Sequence, residues 1–187
     1  DEWKGWMQAI ILIYHYMGAS KELWVYQVVR VLVASYLFLT GYGHARFFYE
    51  KGDYSFHRIA AVLLRLNLVS CVLPYAMSTE YIFYYFASLV SFWFLVIYAT
   101  FRIGKSYNHH RHYLVAKMLL SAALVFPIFR TPGVIEGFFK TLRLTCHINW
   151  SVHEVRFRFT LDQYVVYVGM LVAVLHCCRP TTSSSLT

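Results

Sequence analysis

Apolar segments alternate with short polar stretches along most of the chain, and this alternation predicts membrane helices. Most of the segments approach the roughly 20 residues that a helix needs to cross a bilayer. The first, Trp6 to Gly18, is shorter, so its helix must include the Trp-rich start or lie partly inside protein. The pattern predicts an all-α fold, a polytopic transmembrane helical bundle of about five to seven membrane helices. The further segments are 23–42, 59–77, 81–101, 113–129 and 164–178.

Two of the intervening stretches, 44–58 and 102–117, have an excess of Lys and Arg, which predicts cytosolic loops by the positive-inside rule. Five crossings before residue 130 then put residues 130–160 on the far side, although they are basic too. Within them, 134–139 is apolar but too short to span. The pattern leaves open a re-entrant or interfacial segment, an additional passage, or one false span among the five.

The composition is typical of a membrane protein and argues against other classes. Hydrophobic residues make up 59% and the mean hydropathy is +0.48, which is too apolar for an ordinary soluble domain. The net charge of +8 is distributed between apolar runs, so membrane lipid and no nucleic acid is the expected partner. The four cysteines have no disulfide-framework or zinc spacing, and the run at 109–112, His-His-Arg-His, has no carboxylate nearby, so no metal site is predicted.

Several polar side chains lie within apolar segments, where they need partners. An arginine near the bilayer centre costs about 2.5–3.5 kcal/mol, so Arg30 and Arg65 must be paired or face a wet cavity. Together with Asn67 they are candidates for lining a polar channel, Arg65 above all because guanidinium binds phosphate bidentately. The alternative is an intramembrane structural pair or a side chain that snorkels from a helix end. His44 follows a Gly-rich exit at 41–43, which either lets a ligand approach closely or is a helix C-cap.

The first helix carries a polar stripe. Lys4 and His15 differ by about 20° around a helix and lie roughly 16 Å apart along it, so they share one face. Gln8 falls on the same stripe, whereas the neighbouring isoleucines point elsewhere. A polar seam on an otherwise apolar helix faces protein or water. His15 is therefore either a packing histidine or a reactive group that accepts an acyl group or a proton.

Seven stretches of the sequence, in order along the chain, resemble the family of capsule-synthesis-type, multi-pass O-acyltransferases, which O-acetylate fungal capsule glycans, sialic acids and plant cell-wall polysaccharides. The most specific is DEWKGWMQ at the start. The likeness extends to about residue 175. The stretches are DEWKGWMQ at 1–8, YHY at 14–16, RVLVASYLFLTGYGH at 30–44, RLN at 65–67, FYYF at 83–86, TPGV at 131–134 and HEVRFRFTLDQYVVYVGML at 153–171.

The chain departs from the family pattern in three respects. Val155 stands where the pattern has Trp, and Gln163 where it has Arg, so any charge role of that Arg is lost. The family domain has about ten membrane passages, so the resemblance implies a partial transmembrane acyltransferase domain over 1–179 with a polar tail at 180–187. The start at Asp1 without Met predicts a piece of a longer polypeptide. The Gly-Asp-Ser and Asp-x-x-His motifs of the family's lumenal esterase-like module do not occur in this sequence.

The resemblance implies an integral membrane O-acetyltransferase of the secretory pathway, in the Golgi, with acetyl-CoA as acyl donor and no tightly bound cofactor. The expected acceptor is a glycan or a cell-wall or capsule polysaccharide, and an esterase-like module, in the same chain or in trans, is a further expected partner. Two alternatives remain. The chain is a non-catalytic membrane transporter or scaffold that moves the acetyl donor, or it is an inactive truncated fragment.

The candidate residues divide into two groups. His15 is predicted to be reactive, since a basic residue at the same spacing before a histidine also occurs on the first helix of another class of membrane acyltransferases. His153 with Glu154 forms a second predicted catalytic cluster, because a carboxylate beside a histidine can orient it for base chemistry. The predicted substrate-binding residues are Lys4, Arg58 and Arg65 for the anionic donor, with Asn67, His44 and Asp162.

Overall fold

The computed structural model describes residues 2–18, 22–77, 85–108, 110–130 and 162–177, and within these ranges the chain is helical without strands. The predicted all-α class is therefore confirmed for the described residues. A 3₁₀ turn at Lys105–Tyr107 joins the fourth and fifth helices. The α-helices are α1 Glu2–Tyr16, α2 Leu23–Lys51, α3 Phe56–Met77, α4 Tyr85–Arg102, α5 Arg111–Arg130 and α6 Gln163–Cys177.

Five of the predicted segments match helices within a few residues, because each coincides with a long apolar run. The first segment includes its Trp-rich start, as α1 begins at Glu2. Its 15 residues span about 22 Å, less than the hydrocarbon thickness of a bilayer. The segment at 134–160, whose course the sequence left open, lies outside the described residues, as does the tail at 180–187.

The predicted end of the second segment is wrong. Helix α2 continues through Gly41 and Gly43 to Lys51, so neither glycine is a C-cap and His44 lies inside the helix. The true C-cap is Gly52, whose left-handed φ of 59° lets its N–H bond the Phe48 carbonyl. The predicted loop 44–58 is thereby reduced to residues 52–55. Polar residues at 44–51 had the composition of a loop, yet they continue the helix.

Helices α2 and α6 run parallel and pack closely through two glycines. A Cβ on Gly41 would lie 2.4 Å from the Val166 carbonyl oxygen, and a Cβ on Gly169 would lie 2.4 Å from that of Phe38. The two helices run in the same direction because Arg30 of α2 pairs with Asp162, just before α6, while Tyr42 Oη, further along α2, lies 3.1 Å from Nδ1 of His176 in the last turn of α6. Small residues that let two backbones approach are typical of helix packing in membranes.

Helix α4 supplies the centre of the core. Trp93, Phe94, Ile97 and Phe101 are fully buried, and they repeat at the helical spacing of three and four residues. Aromatic rings meet at this helix, as Phe48 of α2 packs its ring against Phe94, Tyr98 and Phe101 of α4. These ring contacts therefore stabilise the packing of α2 against α4.

The N-terminal ends of α1, α3 and α5 and the C-terminal ends of α2, α4 and α6 meet at one end of the bundle. The Tyr98 hydroxyl donates to the Tyr54 carbonyl across the two connections, and Cys177 Sγ lies 3.8 Å from a Glu50 carboxylate oxygen. Cations predominate at this end among the described residues. They are Lys4, Arg46, Lys51, Arg58, Arg102, Lys105, Arg111 and Lys117, against Glu2, Glu50 and Asp53.

Within the described residues, one helix, Leu23–Lys51, is both long and apolar enough to cross a membrane. The helices Phe86–Arg102 and Gln163–Cys177 are apolar but shorter. Large apolar side chains also cover much of the outer surface, for example Leu119, Leu120 and Leu124 on α5, each more than 60% exposed. Such a surface is suited to lipid contact.

Candidate functional site

Lys4 and His44 lie at the centre of a polar cluster formed by three helices. The Lys4 ammonium lies 6.0 Å from the centre of the Tyr36 ring and close to Gly43, so the start of α1 is level with the C-terminal half of α2. His44 projects from the same part of α2, and its imidazole meets the Phe94 ring edge-on at 4.8 Å. Both side chains are half-buried.

Helix α3 adds two arginines to this cluster. Lys4, Arg58 and Arg65 all act electrostatically on the His44 imidazole, and Arg65 also acts on Lys4 and Tyr36. The Arg58 guanidinium lies 3.3 Å from the centre of the Phe47 ring, which holds it against α2. Four of the predicted substrate-binding residues are therefore brought together. We call Lys4, His44, Arg58 and Arg65 the cation cluster.

The charge of the cation cluster is one-sided. In the part of the chain that the structure describes, salt bridges join Arg30 with Asp162 and Arg46 with Glu50, and none involves a residue of the cluster. Asp53, in the loop before α3, interacts with Arg58 from a distance. Its carboxylate accepts a hydrogen bond from the Ser55 amide at 3.0 Å, and this bond holds the pKa of Asp53 below its ordinary value. Three cations with so little opposing charge suit an anionic ligand.

Asp162 lies apart from the cation cluster. Its carboxylate accepts a hydrogen bond from Arg30 at 3.2 Å, immediately before the first turn of α6. Arg30 precedes His44 by fourteen residues, so the pair is about 21 Å away along α2. The structure thus shows Arg30 in a structural pair, the alternative to channel lining, and gives Asp162 a partner that the sequence did not identify.

Asn67 is engaged between helices. Its amide nitrogen donates to the Leu63 carbonyl at 2.9 Å and to the Ser91 hydroxyl of α4 at 2.7 Å. Both amide hydrogens are used by these bonds, so only the side-chain oxygen is left for a ligand. The observed contacts of Asn67 join α3 to α4, and a role in substrate binding stays a prediction.

The predicted catalytic residues are less fully described. His15 lies in the last turn of α1, on the face that also carries Lys4, but its side chain is outside the described part of the structure. His153 and Glu154 lie wholly outside it. Their roles stay predictions.

Sequence reasoning missed the aromatic residues that hold the cluster. Tyr36 lies beneath Lys4, Phe47 beneath Arg58, and Phe94 beside His44. In a chain with 16 Tyr and 15 Phe, no local pattern distinguishes these rings from ordinary core residues. Only their position beside the cations does so.

Comparison with known proteins relates the chain to a family and to a curated relative. A family model described as "10 TM Acyl Transferase domain found in Cas1p" matches residues 1–182. A protein of Danio rerio, N-acetylneuraminate (7)9-O-acetyltransferase, is 46% identical over 186 residues, covering 94% of this chain and 24% of the relative. The chain thus spans about a quarter of that relative's length. No solved structure matches the chain.

Proposed function

The chain belongs to the ten-transmembrane acyltransferase domain family, and from this premise we propose that it takes part in O-acetyl transfer from acetyl-CoA to glycan hydroxyls. The relative from Danio rerio bears the name of a sialate O-acetyltransferase, which favours a sialic acid acceptor. The described helices then belong to a polytopic bundle in the membrane. Its compartment in this proposal is the Golgi of the secretory pathway, where glycans are exposed to the lumen.

The observation that carries the proposal is the cation cluster. Acetyl-CoA bears several phosphate charges, and guanidinium groups bind phosphate oxygens through paired hydrogen bonds. Lys4 comes from α1 and Arg58 and Arg65 come from α3, and all three act electrostatically on His44. An anionic donor is what such a group of cations would bind.

The location of the cation cluster supports a cytosolic donor. The cluster lies toward the end of the bundle where cations outnumber carboxylates among the described residues, and by the positive-inside rule this end faces the cytosol. His44 lies seven residues before the end of α2, about 10 Å into the bundle. Acetyl-CoA in the cytosol can reach this depth without crossing the membrane.

The donor-binding step predicts a specific loss of affinity. In the purified protein, Arg58→Gln and Arg65→Gln are each expected to weaken acetyl-CoA binding about tenfold or more, because each removes a charge-assisted hydrogen bond. Isothermal titration calorimetry in detergent measures this directly. The matched control is Lys51→Gln, since Lys51 also lies over the Phe47 ring but does not act on His44. Equal affinities in all three variants and the parent protein would remove the cluster from donor binding.

His15 is the proposed reactive residue. Its unprotonated ring nitrogen attacks the thioester carbonyl carbon, the carbon–sulfur bond breaks, and the departing thiolate takes the proton from the other ring nitrogen. A glycan hydroxyl then attacks the acetyl carbon, the bond between this carbon and the His15 nitrogen breaks, and the hydroxyl proton returns to the imidazole. In this scheme His153, oriented by Glu154, deprotonates that hydroxyl or relays the proton. His15 follows Lys4 by eleven residues, about 16 Å along α1, which in this proposal is the direction away from the cytosol.

His15→Ala is expected to lower acetyl transfer by about 100-fold or more, the usual contribution of a positioned histidine. Transfer of radiolabelled acetyl from acetyl-CoA to glycan is measured in membranes of cells that express the protein, with protein amounts compared by immunoblot. His112→Ala, which removes an exposed histidine at the start of α5, is the control and is expected to keep full transfer. Undiminished transfer in His15→Ala at normal protein levels would exclude this role. Binding of acetyl-CoA without labelling of protein or glycan would favour donor translocation instead.

A further inference from the structure

A second polar site lies at the same end of the bundle, in a cleft of about 560 Å³ between two connections. One wall is the loop from α2 to α3, and the other is the turn from α4 to α5. The volume falls in the range of small-molecule sites. The lining residues used below are Gly52, Tyr54 and Ser55 from the loop and Arg102, Lys105 and Ser106 from the turn.

The side chains that line this loop cleft are cationic or hydroxyl-bearing, and none of the lining residues in the described ranges is acidic. Arg102 contacts the Tyr98 hydroxyl through a single nitrogen, which leaves most of its five N–H groups available. Lys105 and Ser106 are exposed on the same turn. The nearby Asp53 carboxylate accepts a hydrogen bond from the Ser55 amide. Two cations beside a hydroxyl form a donor set that suits a phosphate monoester.

The loop cleft is preformed because both walls are held by hydrogen bonds. Asn108 donates to the Phe101 carbonyl at 2.9 Å, and Lys117 donates to the Ile103 carbonyl at 2.8 Å, so the exposed carbonyls at the end of α4 are satisfied. Asn108 also reaches the Tyr54 hydroxyl at 3.4 Å, which joins the turn to the loop. A ligand that binds here does not have to order the walls first.

Gly104 fixes the shape of the turn. Its φ of 64° is left-handed, and a Cβ at this position would lie 2.4 Å from the Tyr113 hydroxyl. Residues other than glycine are therefore disfavoured by the left-handed conformation, and the Tyr113 side chain would also have to shift. Lys105 and Ser106 follow directly and are presented to the cleft by this conformation.

The loop cleft lies next to the cation cluster. Gly52 follows His44 by eight residues, about 12 Å along α2, and Arg58 comes only three residues after Ser55. Acetyl-CoA carries a diphosphate in the middle of the molecule and a separate phosphate monoester on its ribose, at the end opposite the thioester. Two neighbouring cationic sites at different depths match two such groups.

We propose that the loop cleft binds a phosphate monoester, and that this group is the ribose phosphate of acetyl-CoA while the cation cluster holds the diphosphate. The identity of the ligand rests on the proposed function. The thioester arm then extends from the cation cluster into the bundle toward His15. The loop cleft thereby distinguishes coenzyme A from its analogue without the ribose phosphate.

The test compares acetyl-CoA with acetyl-dephospho-CoA, which lacks only the ribose phosphate. The purified parent protein is expected to bind acetyl-CoA at least about tenfold more tightly. Arg102→Gln and Lys105→Gln are each expected to reduce this ratio by weakening acetyl-CoA binding while leaving the affinity for acetyl-dephospho-CoA unchanged. Arg58→Gln weakens both ligands. Arg111→Gln, an exposed cation outside the loop cleft, keeps the full ratio.

The outcomes separate this inference from the proposed function. A parent protein that binds both compounds equally and tightly overturns the ribose phosphate as the ligand of the loop cleft but keeps the acetyl-CoA proposal. Binding of neither compound removes the acetyl-CoA proposal. Nanodiscs with and without phosphatidic acid then identify the other source, because a Lys105-dependent preference for phosphatidic acid shows a lipid phosphate monoester in the cleft. No preference in either assay overturns the site entirely.

Discussion

Alanine at Gly41 or at Gly169 is expected to destabilise the protein by about 2–3 kcal/mol, because the added methyl group would press into the backbone of the facing helix. A Cβ added at Gly41 would meet the Val166 carbonyl oxygen, and at Gly169 the obstacles are the Phe38 oxygen and the Tyr42 nitrogen. Backbone atoms cannot turn away as a flexible side chain does, so α2 and α6 have to separate. Both substitutions act on one interface, so their effects should not add.

Thermal unfolding in detergent measures this loss, with an expected decrease in melting temperature of roughly 4–12 °C. Gly43→Ala is the matched control, two residues along the same helix, where the added Cβ would meet only the Lys4 ammonium at an ordinary 3.8 Å. Alanine is otherwise the better helix former, so this control is expected to be neutral or slightly stabilising. The same decrease in Gly41→Ala and Gly43→Ala would contradict the close approach of α2 and α6.

Removing either partner of the Arg30–Asp162 pair is the second change with a large expected effect. Arg30→Met leaves a carboxylate, and Asp162→Leu leaves a guanidinium, without an opposite charge inside an apolar bundle. A charge near the bilayer centre costs about 2.5–3.5 kcal/mol, which is the upper bound for each single substitution. The Arg30 side chain is 31% exposed and the Asp162 side chain 12% exposed in the isolated bundle. Each single substitution is therefore expected to cost less than this upper bound.

The double variant Arg30→Met with Asp162→Leu should recover most of the lost stability, because replacing both members of a buried pair by apolar residues is often nearly neutral. Melting temperatures of the four proteins form a double-mutant cycle that measures the coupling. A double variant no more stable than the worse single one would show that the pair does not act as a unit. If the double variant recovers stability but loses acetyl transfer, the predicted substrate role of Asp162 is supported.

Much of the helical framework could be predicted from the sequence. The bounds of α3, α5 and α6 follow from apolar runs, since hydrophobicity is a property of consecutive residues and needs no knowledge of their neighbours in space. The end of α2 was missed because a helix that continues past an apolar core into polar surroundings has the composition of a loop. Gly52 with its left-handed φ, and not Gly41 or Gly43, ends it.

Part of the candidate site could also be predicted from the sequence. Lys4, His44, Arg58 and Arg65 were each singled out as polar residues in or beside apolar segments, and the structure brings these four together. The same reasoning grouped Asp162 and Asn67 with them, although Asp162 is paired with Arg30 and Asn67 with Ser91. A polar residue in an apolar segment needs a partner, but the sequence does not say which one.

By itself, the sequence determined the helical class, the apolar segments and the residues that require polar partners, because these depend on local composition and on the helical repeat. Only the tertiary structure decided the pairings. Arg30 and Asp162 are 132 positions apart, and Gly41 and Gly169 meet because α2 and α6 pack in parallel at backbone contact. Such contacts depend on how the helices pack against one another, and the pattern of neighbouring residues along the chain does not predict this packing.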